Sequence, residues 1–197
     1  MTTNLSRLYD TNAEAQRVLS ALHSAGIPED DISLIANHGE GAESMPDAAD
    51  GAKNGAGMGA AVGGGAGLLA GLGMLAIPGV GPVVAAGWMA ATLTGLVAGA
   101  ATGAAAGGIV GALTDNGINE QDAHVYAESV RRGGSLVLVK TDDVHRAQAE
   151  IILDQHGAVA LSDRRSMYEG EGWKSFDQDA GPYASNDRGE TRRATTL

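Results

Sequence analysis

The sequence contains no cysteine, which excludes disulfides, thiolate nucleophiles and cysteine-based metal sites. Aromatic residues are scarce, with two Trp, four Tyr and one Phe, so a large aromatic-lined pocket is not expected. Acidic residues outnumber basic ones, and the formal net charge is −11. Because neutralising phosphates takes lysine and arginine, nucleic acid is not an expected partner. The start MTTNLSRLYD lacks a basic region followed by an apolar run, so no secretory signal is predicted.

Glycine, in contrast, is abundant and regularly spaced. From Gly51 to Gly71 every fourth residue is glycine, and a second series with Ala91 in register runs from Gly87 to Gly111. Residues four apart share one helix face, so each series would form a ridge that lets another helix backbone approach closely. The predicted helix-packing and oligomerisation residues are Gly55, Gly59, Gly63, Gly67, Gly71, Gly87, Gly95, Gly99, Gly103, Gly107 and Gly111.

Residues 54–114 contain no Asp, Glu, Lys, Arg or His, and the sequence IPGVGP at 77–82 divides them into two arms. At ~1.5 Å per helical residue, each arm could cross a hydrocarbon core ~30 Å thick. The pattern predicts a two-helix glycine-zipper hairpin in the membrane. Two alternatives stay open: a flexible linker, and a helical hairpin buried inside a soluble oligomer.

The flanking regions predict a small α+β domain. Residues 1–39 are predicted as β-α-β, with Asp10 or Thr11 capping the helix and Ala15, Val18, Leu19 and Leu22 forming its apolar face. Residues 115–162 are predicted as α-β-α-β, ending in a strand at AVALSD; the second of these helices would bury Val144, Ala147, Ile151 and Ile152. Residues 40–53 are predicted as an acidic linker, and residues 163–197 as a disordered tail.

Without residues 40–114, the order of elements is close to a ferredoxin-like sandwich. The segments RRGGSLVLVKTDD (131–143) and ILDQHGAV (152–159), with the inserted glycine-rich region, resemble a bacterial family of general-stress and low-temperature-induced proteins. The resemblance covers about residues 1–162. It implies stress-linked expression and membrane association, and it carries no catalytic residue onto this chain.

A search for chemistry finds no catalytic, cofactor or metal motif. The sequence GAKNGAG at 51–57 lacks the spacing and the Ser or Thr of a phosphate-binding loop. Asp142, His145 and His156 are weak candidates for a metal, and the acidic pairs are typical of turns and helix caps. Arg131 and Arg132 suit a helix C-terminus, and a small-anion site beside Gly133–Gly134 is a further hypothesis.

Two functional hypotheses follow. The first is a non-enzymatic, stress-associated inner-membrane protein with both termini in the cytoplasm, whose partners are the bilayer and other copies of itself. The second is a soluble, cytoplasmic homo-oligomer that senses a small molecule of unknown identity and buries its glycine-rich helices as a core. Neither hypothesis requires a cofactor or a metal.

Overall fold

A computed structural model describes residues 3–37, 73–77, 79–93, 108–180 and 183. Within these ranges the protein is α+β. The strands are β1 (Thr3–Tyr9), β2 (Ile32–Asn37), β3 (Gly73–Ile77), β4 (Gly81–Ala86) and β5 (Ser135–Thr141). The helices are α1 (Asn12–Ser24), α2 (88–93), α3 (Gly108–Asp115), α4 (Glu120–Arg131), α5 (Arg146–Gln155) and α6 (Leu161–Gly170), with a 3-10 turn at Glu29–Asp31.

Local sequence signals place several of these elements correctly. Thr11 caps α1, accepting a hydrogen bond from the backbone N–H of Glu14, whose carboxylate accepts one from the Thr11 N–H. This reciprocal pair satisfies two backbone donors at the start of the helix. The four apolar residues predicted for α1 are all buried. The helix at Glu120–Arg131 and the strand at Ser135–Thr141 also confirm the sequence predictions.

The five strands form one antiparallel sheet in the order β1-β5-β2-β4-β3. Strand β5, from the second half of the chain, lies between β1 and β2, pairing Val139 with both Leu5 and Ile32. Strands β3 and β4 extend the sheet beyond β2. The two halves are therefore parts of one sheet and not separate modules.

An apolar core lies on each face of the sheet, because successive residues of β5 point to opposite sides. Leu136 and Leu138 pack with residues of α2, α3 and α4, whereas Val137 and Val139 pack with residues of α1 and α5. Helices thus cover both faces. On α5 the buried residues are Ala149 and Leu153. Of the predicted apolar face, Ile152 is half-buried against the core, but Ala147 and Ile151 are exposed, as is Val144 before the helix, so the rest of that face is wrong.

The predicted membrane hairpin is also wrong. The break contains a turn at 79–80, but the residues on either side of it form the strands β3 and β4 and not helices. No helix in the described part of the chain is long and apolar enough to cross a membrane. A run of apolar, uncharged residues is compatible with a buried strand as well as with a helix. Here the strand forms because one edge of β2 is available for pairing with β4. Residues 54–72, 78 and 94–107 of the predicted hairpin, and the acidic linker, lie outside the described residues.

The two zipper glycines that the structure describes do not form a shared ridge. Gly87 lies in the turn between β4 and α2 with a φ of +77°, outside any helix. Gly111 lies within α3, and an added Cβ there would have nothing within 4 Å. The other nine predicted positions, Gly55, Gly59, Gly63, Gly67, Gly71, Gly95, Gly99, Gly103 and Gly107, lie outside the described residues.

The C-terminal region differs from the expected strand and disordered tail. Val159 makes a single antiparallel bridge to β1, donating its N–H to the Leu8 carbonyl oxygen at 2.8 Å. Helix α6 starts immediately afterwards, and ordered chain continues to residue 180. We call residues 161–180 the C-terminal strap. Leu161, Tyr168 and Phe176 are its apolar contacts with the rest of the protein, too few to produce a periodic sequence signal.

Candidate functional site

A cleft of about 320 Å³ opens at one end of the sheet, where β1 ends, β5 begins and the C-terminal strap crosses α4. This is within the range of small-molecule sites. We call it the sheet-end cleft. It is lined by Leu8, Tyr9, Asp10, Ser129, Arg132, Gly134, Arg164, Met167, Tyr168, Glu171 and Tyr183.

The turn after α4 fixes one wall of this cleft. Gly133 has a φ of +100°, and Gly134 donates its N–H to the Ser129 carbonyl oxygen at 2.8 Å, which ends the helix. A side chain at 134 would press on backbone, because an added Cβ would lie 3.0 Å from the Ser129 oxygen and 3.2 Å from that of Tyr9. This close packing holds Arg132, the C-cap residue of α4, at the start of β5.

Glu128, with a fully buried carboxylate, anchors the arginines at this turn. Arg131 donates to it through Nε at 2.9 Å and through a second nitrogen at 2.7 Å, and Arg132 donates through Nε at 2.5 Å. Another nitrogen of Arg132 pairs with Glu171 of the strap. Burial lowers the pKa of Arg132, but hydrogen bonds and charge from Glu171 and Glu128 outweigh this effect and raise it above the ordinary value. Arg132 therefore stays charged.

The strap supplies the opposite wall. Arg164 pairs with Asp10, at the end of β1. Tyr168 donates its hydroxyl hydrogen to Ser129 Oγ at 3.1 Å, and Ser129 in turn donates to the Val125 carbonyl oxygen at 2.7 Å. The guanidinium carbons of Arg132 and Arg164 lie 4.2 and 6.0 Å from the centre of the Tyr168 ring. Two guanidinium groups from separate parts of the chain therefore lie next to the same aromatic ring.

In each of these two ion pairs the arginine side chain is much less exposed than its carboxylate partner. The side chains of Arg132 and Arg164 are 16% and 17% exposed, whereas their partners Glu171 and Asp10 are 47% and 62% exposed. The cations are fixed within the cleft, and the two carboxylates approach from its rim. A well-hydrated carboxylate gains little from such a pair, so another anion can compete for the guanidinium groups.

The sequence pattern at the end of α4 indicates one wall of this cleft, and no pattern indicates the other. The hypothesis of an anion site beside Gly133–Gly134 concerns residues that the structure brings together, with Arg131 and Arg132 adjacent. Arg164 and Tyr168 were missed, since they belong to a region predicted to be disordered. No local signal could have placed them here, because their contacts depend on the tertiary fold.

The other candidates have structural contacts. Asp142 accepts hydrogen bonds from the backbone N–H groups of Val144 and His145, and it contacts the His145 ring at 2.8 Å. Hydrogen bonds from the His145 backbone and ring lower the pKa of Asp142. His156 donates from Nδ1 to the Ile152 carbonyl oxygen at 2.8 Å. The described ranges contain no group of three or more potential ligands arranged to hold a metal.

A larger cleft of about 670 Å³ lies between α3, α4 and the end of the strap. Its acidic residues Glu120 and Asp177 are exposed. His124 accepts the Phe176 backbone N–H at Nδ1, 3.2 Å away, so that nitrogen is already used to hold the strap. The sheet-end cleft, which holds partly buried cations, is therefore the stronger candidate.

Buried phenols predict a stability that falls at high pH. Burial raises the pKa of Tyr168, Tyr126 and Tyr9 above the ordinary value of 10.0. Below that pH these phenols are protonated in both states; above it the unfolded chain loses protons that the folded protein retains, so stability decreases. Urea unfolding between about pH 8 and about pH 11 should show this decrease. Tyr168→Phe should reduce the slope, and an unchanged slope would contradict the assignment.

Comparisons with protein-family models, curated proteins and solved structures find no match to this chain.

Proposed function

We propose that this protein is a non-enzymatic small-molecule-binding module that takes an oxyanion-bearing ligand in the sheet-end cleft. The observation that carries the proposal is the convergence of Arg132 and Arg164, both largely buried, beside a single tyrosine ring. Guanidinium groups bind carboxylate and phosphate oxygens with paired hydrogen bonds, and a partly desolvated setting strengthens these contacts. The proposal retains the sensing part of the second sequence hypothesis and gives its ligand a chemical class.

The chemistry of the cleft favours binding over catalysis. A general base needs a pKa near the working pH. The raised pKa values of Tyr168 and Arg132 keep both groups protonated at neutral pH. Ser129 directs its hydroxyl hydrogen to a backbone carbonyl, and no base among the described residues hydrogen-bonds that oxygen to activate it.

We further propose that the scaffold is ferredoxin-like and belongs with the stress-protein family that the sequence resembles. Support comes from β5 pairing between β1 and β2, and from α1 and α5 sharing one core. The Val159 bridge on the outer side of β1 is where a fourth strand of that fold would pair. Self-association through the glycine-rich segment stays a prediction.

Two adjacent arginines of α6 provide a matched test. Arg164 pairs with Asp10 at the cleft, and Arg165 pairs with Asp122 of α4 outside it at 2.5 Å. Titration calorimetry with inorganic phosphate and with succinate, at constant ionic strength, should detect binding to the full chain. Arg164→Gln should weaken that binding by about tenfold or more, because it removes a charged hydrogen-bond donor.

Arg165→Gln serves as the control, since it also removes one arginine–aspartate pair from α6, and it should bind the probes as the parent does. Circular dichroism would show that both variants are folded. Equal affinities in the two variants, or no binding of either probe to the parent protein, would overturn the proposed function.

A further inference from the structure

The sheet-end cleft is divided between two parts of the chain. Leu8 and Ser129, with Asp10 and Arg132 directly after β1 and α4, belong to the part of the protein that we call the core. Arg164, Met167, Tyr168 and Glu171 belong to the C-terminal strap, and Tyr183 follows the strap in the chain. The cleft is complete only while the strap is docked. A ligand that contacts both walls therefore binds one state of the strap in preference to the other.

The strap is held to the core largely by polar contacts. Its ion pairs with the core are Arg164–Asp10, Arg165–Asp122 and Glu171–Arg132, and each includes a carboxylate that is at least 42% exposed. Ion pairs of this exposure contribute little to stability. The apolar contribution is small as well, because Tyr168 and Phe176 are the only buried residues of the strap. Segments with few buried apolar contacts open at low free-energy cost. A ligand with modest affinity can therefore shift the equilibrium between the docked and the undocked strap.

The charge balance of the cleft indicates the ligand. Arg131, Arg132 and Arg164 are balanced by Glu128, Glu171 and Asp10. Glu128 is buried and keeps its ion pairs with the arginines. Glu171 and Asp10 lie at the rim, and their side chains can rotate into solvent. Two negative charges would then have to be replaced. A dianion that reaches both Arg132 and Arg164 restores the balance and links a core residue to a strap residue.

We propose that the ligand of the sheet-end cleft is a small dianion, of the phosphate or dicarboxylate type, and that its binding fastens the C-terminal strap to the core. This inference rests on the proposed function. Occupancy of the cleft and docking of the strap form one linked equilibrium, in which ligand stabilises the docked state. Asp10 and Glu171 occupy the two guanidinium groups while the ligand is absent, and they compete with it.

Hydrogen–deuterium exchange of the full chain, read by mass spectrometry, tests the linkage. Saturating phosphate should slow amide exchange in peptides from residues 161–180 several-fold. Peptides from α1, which contributes no lining residue to the cleft, should be unchanged. Succinate in place of phosphate shows whether the slowing needs a phosphate group or only two negative charges. Acetate at equal ionic strength shows how much one negative charge slows exchange of the strap.

Three variants make the outcomes distinct. Arg165→Gln should raise exchange of the strap without ligand but keep the slowing by phosphate, whereas Arg164→Gln should raise exchange and lose that slowing. Glu171→Gln should bind phosphate more tightly, since one competitor is removed. Calorimetric binding with no change in strap exchange, or equal slowing by acetate, would overturn the inference and leave the proposed function standing. Absence of binding would overturn the proposed function itself.

Discussion

Replacing Glu128 with glutamine should lower the free energy of unfolding by about 3 kcal/mol, since removing one partner of a buried ion pair leaves the other charges uncompensated. The Glu128 carboxylate is fully buried, and the side chains of Arg131 and Arg132, which it holds, are only 14% and 16% exposed. A neutral amide cannot balance two guanidinium groups in that position. Urea or thermal unfolding of the variant and the parent measures the difference.

Glu150→Gln is the matched control for this substitution. Glu150 pairs with Arg146 one helical turn away on α5, at 3.0 Å, but both side chains are more than a third exposed. An exposed helical pair contributes about 0.5 kcal/mol or less, so the control should unfold almost as the parent does. Equal losses in the two variants would show that burial of Glu128 does not determine its contribution.

Replacing Gly87 with alanine should destabilise the protein by roughly 3 kcal/mol, from a strained backbone conformation combined with overpacking. Its φ of +77° disfavours any residue with a Cβ. An added Cβ would also overlap the backbone carbonyl oxygen of Ile32 and lie 2.7 Å from Ser33 Oγ. Ile32 cannot move away easily, because it is paired with Val139 in the centre of the sheet. Chemical denaturation provides the measurement.

The companion substitution, Gly111→Ala, should have the opposite sign. Gly111 lies inside α3 with open space where the methyl group would be, so alanine should stabilise the helix by about 0.5–1 kcal/mol. The zipper hypothesis instead places Gly111 against a second copy, where a methyl group is tolerated but a leucine side chain would break the assembly. Analytical ultracentrifugation of a Gly111→Leu variant, run beside the unfolding measurement of Gly111→Ala, tests that expectation.

The sequence predicted elements whose signals are local. The Thr11–Glu14 capping pair, the spacing of Ala15, Val18 and Leu22, and the paired glycines after α4 each act over a few residues. The hairpin prediction failed because glycine spacing was interpreted with a helical period. At Gly87 the glycine instead satisfies a turn with positive φ, and the adjacent apolar residues complete a sheet whose open edge no local pattern reveals.

For the candidate site, the sequence supports only the hypothesis of a small anion beside Gly133–Gly134, and for the same reason. Arg132 and Gly134 belong to a helix end that can be recognised locally. Arg164 and Tyr168 take positions set by Asp10 and Ser129, which are 154 and 39 residues away in the chain. A polar helix with one buried tyrosine is locally similar to a solvated tail. Only the ion pairs and the phenol–serine hydrogen bond distinguish it, and both are tertiary.

The central position of β5 has a consequence for synthesis of the protein. Thr3 pairs with Thr141, and Ile32 pairs with Val139, so neither β1 nor β2 gains its β5 partner until residues 135–141 have left the ribosome. For most of translation, α1 and the strands beside it must persist without a finished sheet. Exposed strand edges of this kind are the ones on which nascent chains aggregate. Chaperones that bind nascent chains should therefore associate with this protein until β5 has emerged from the ribosome.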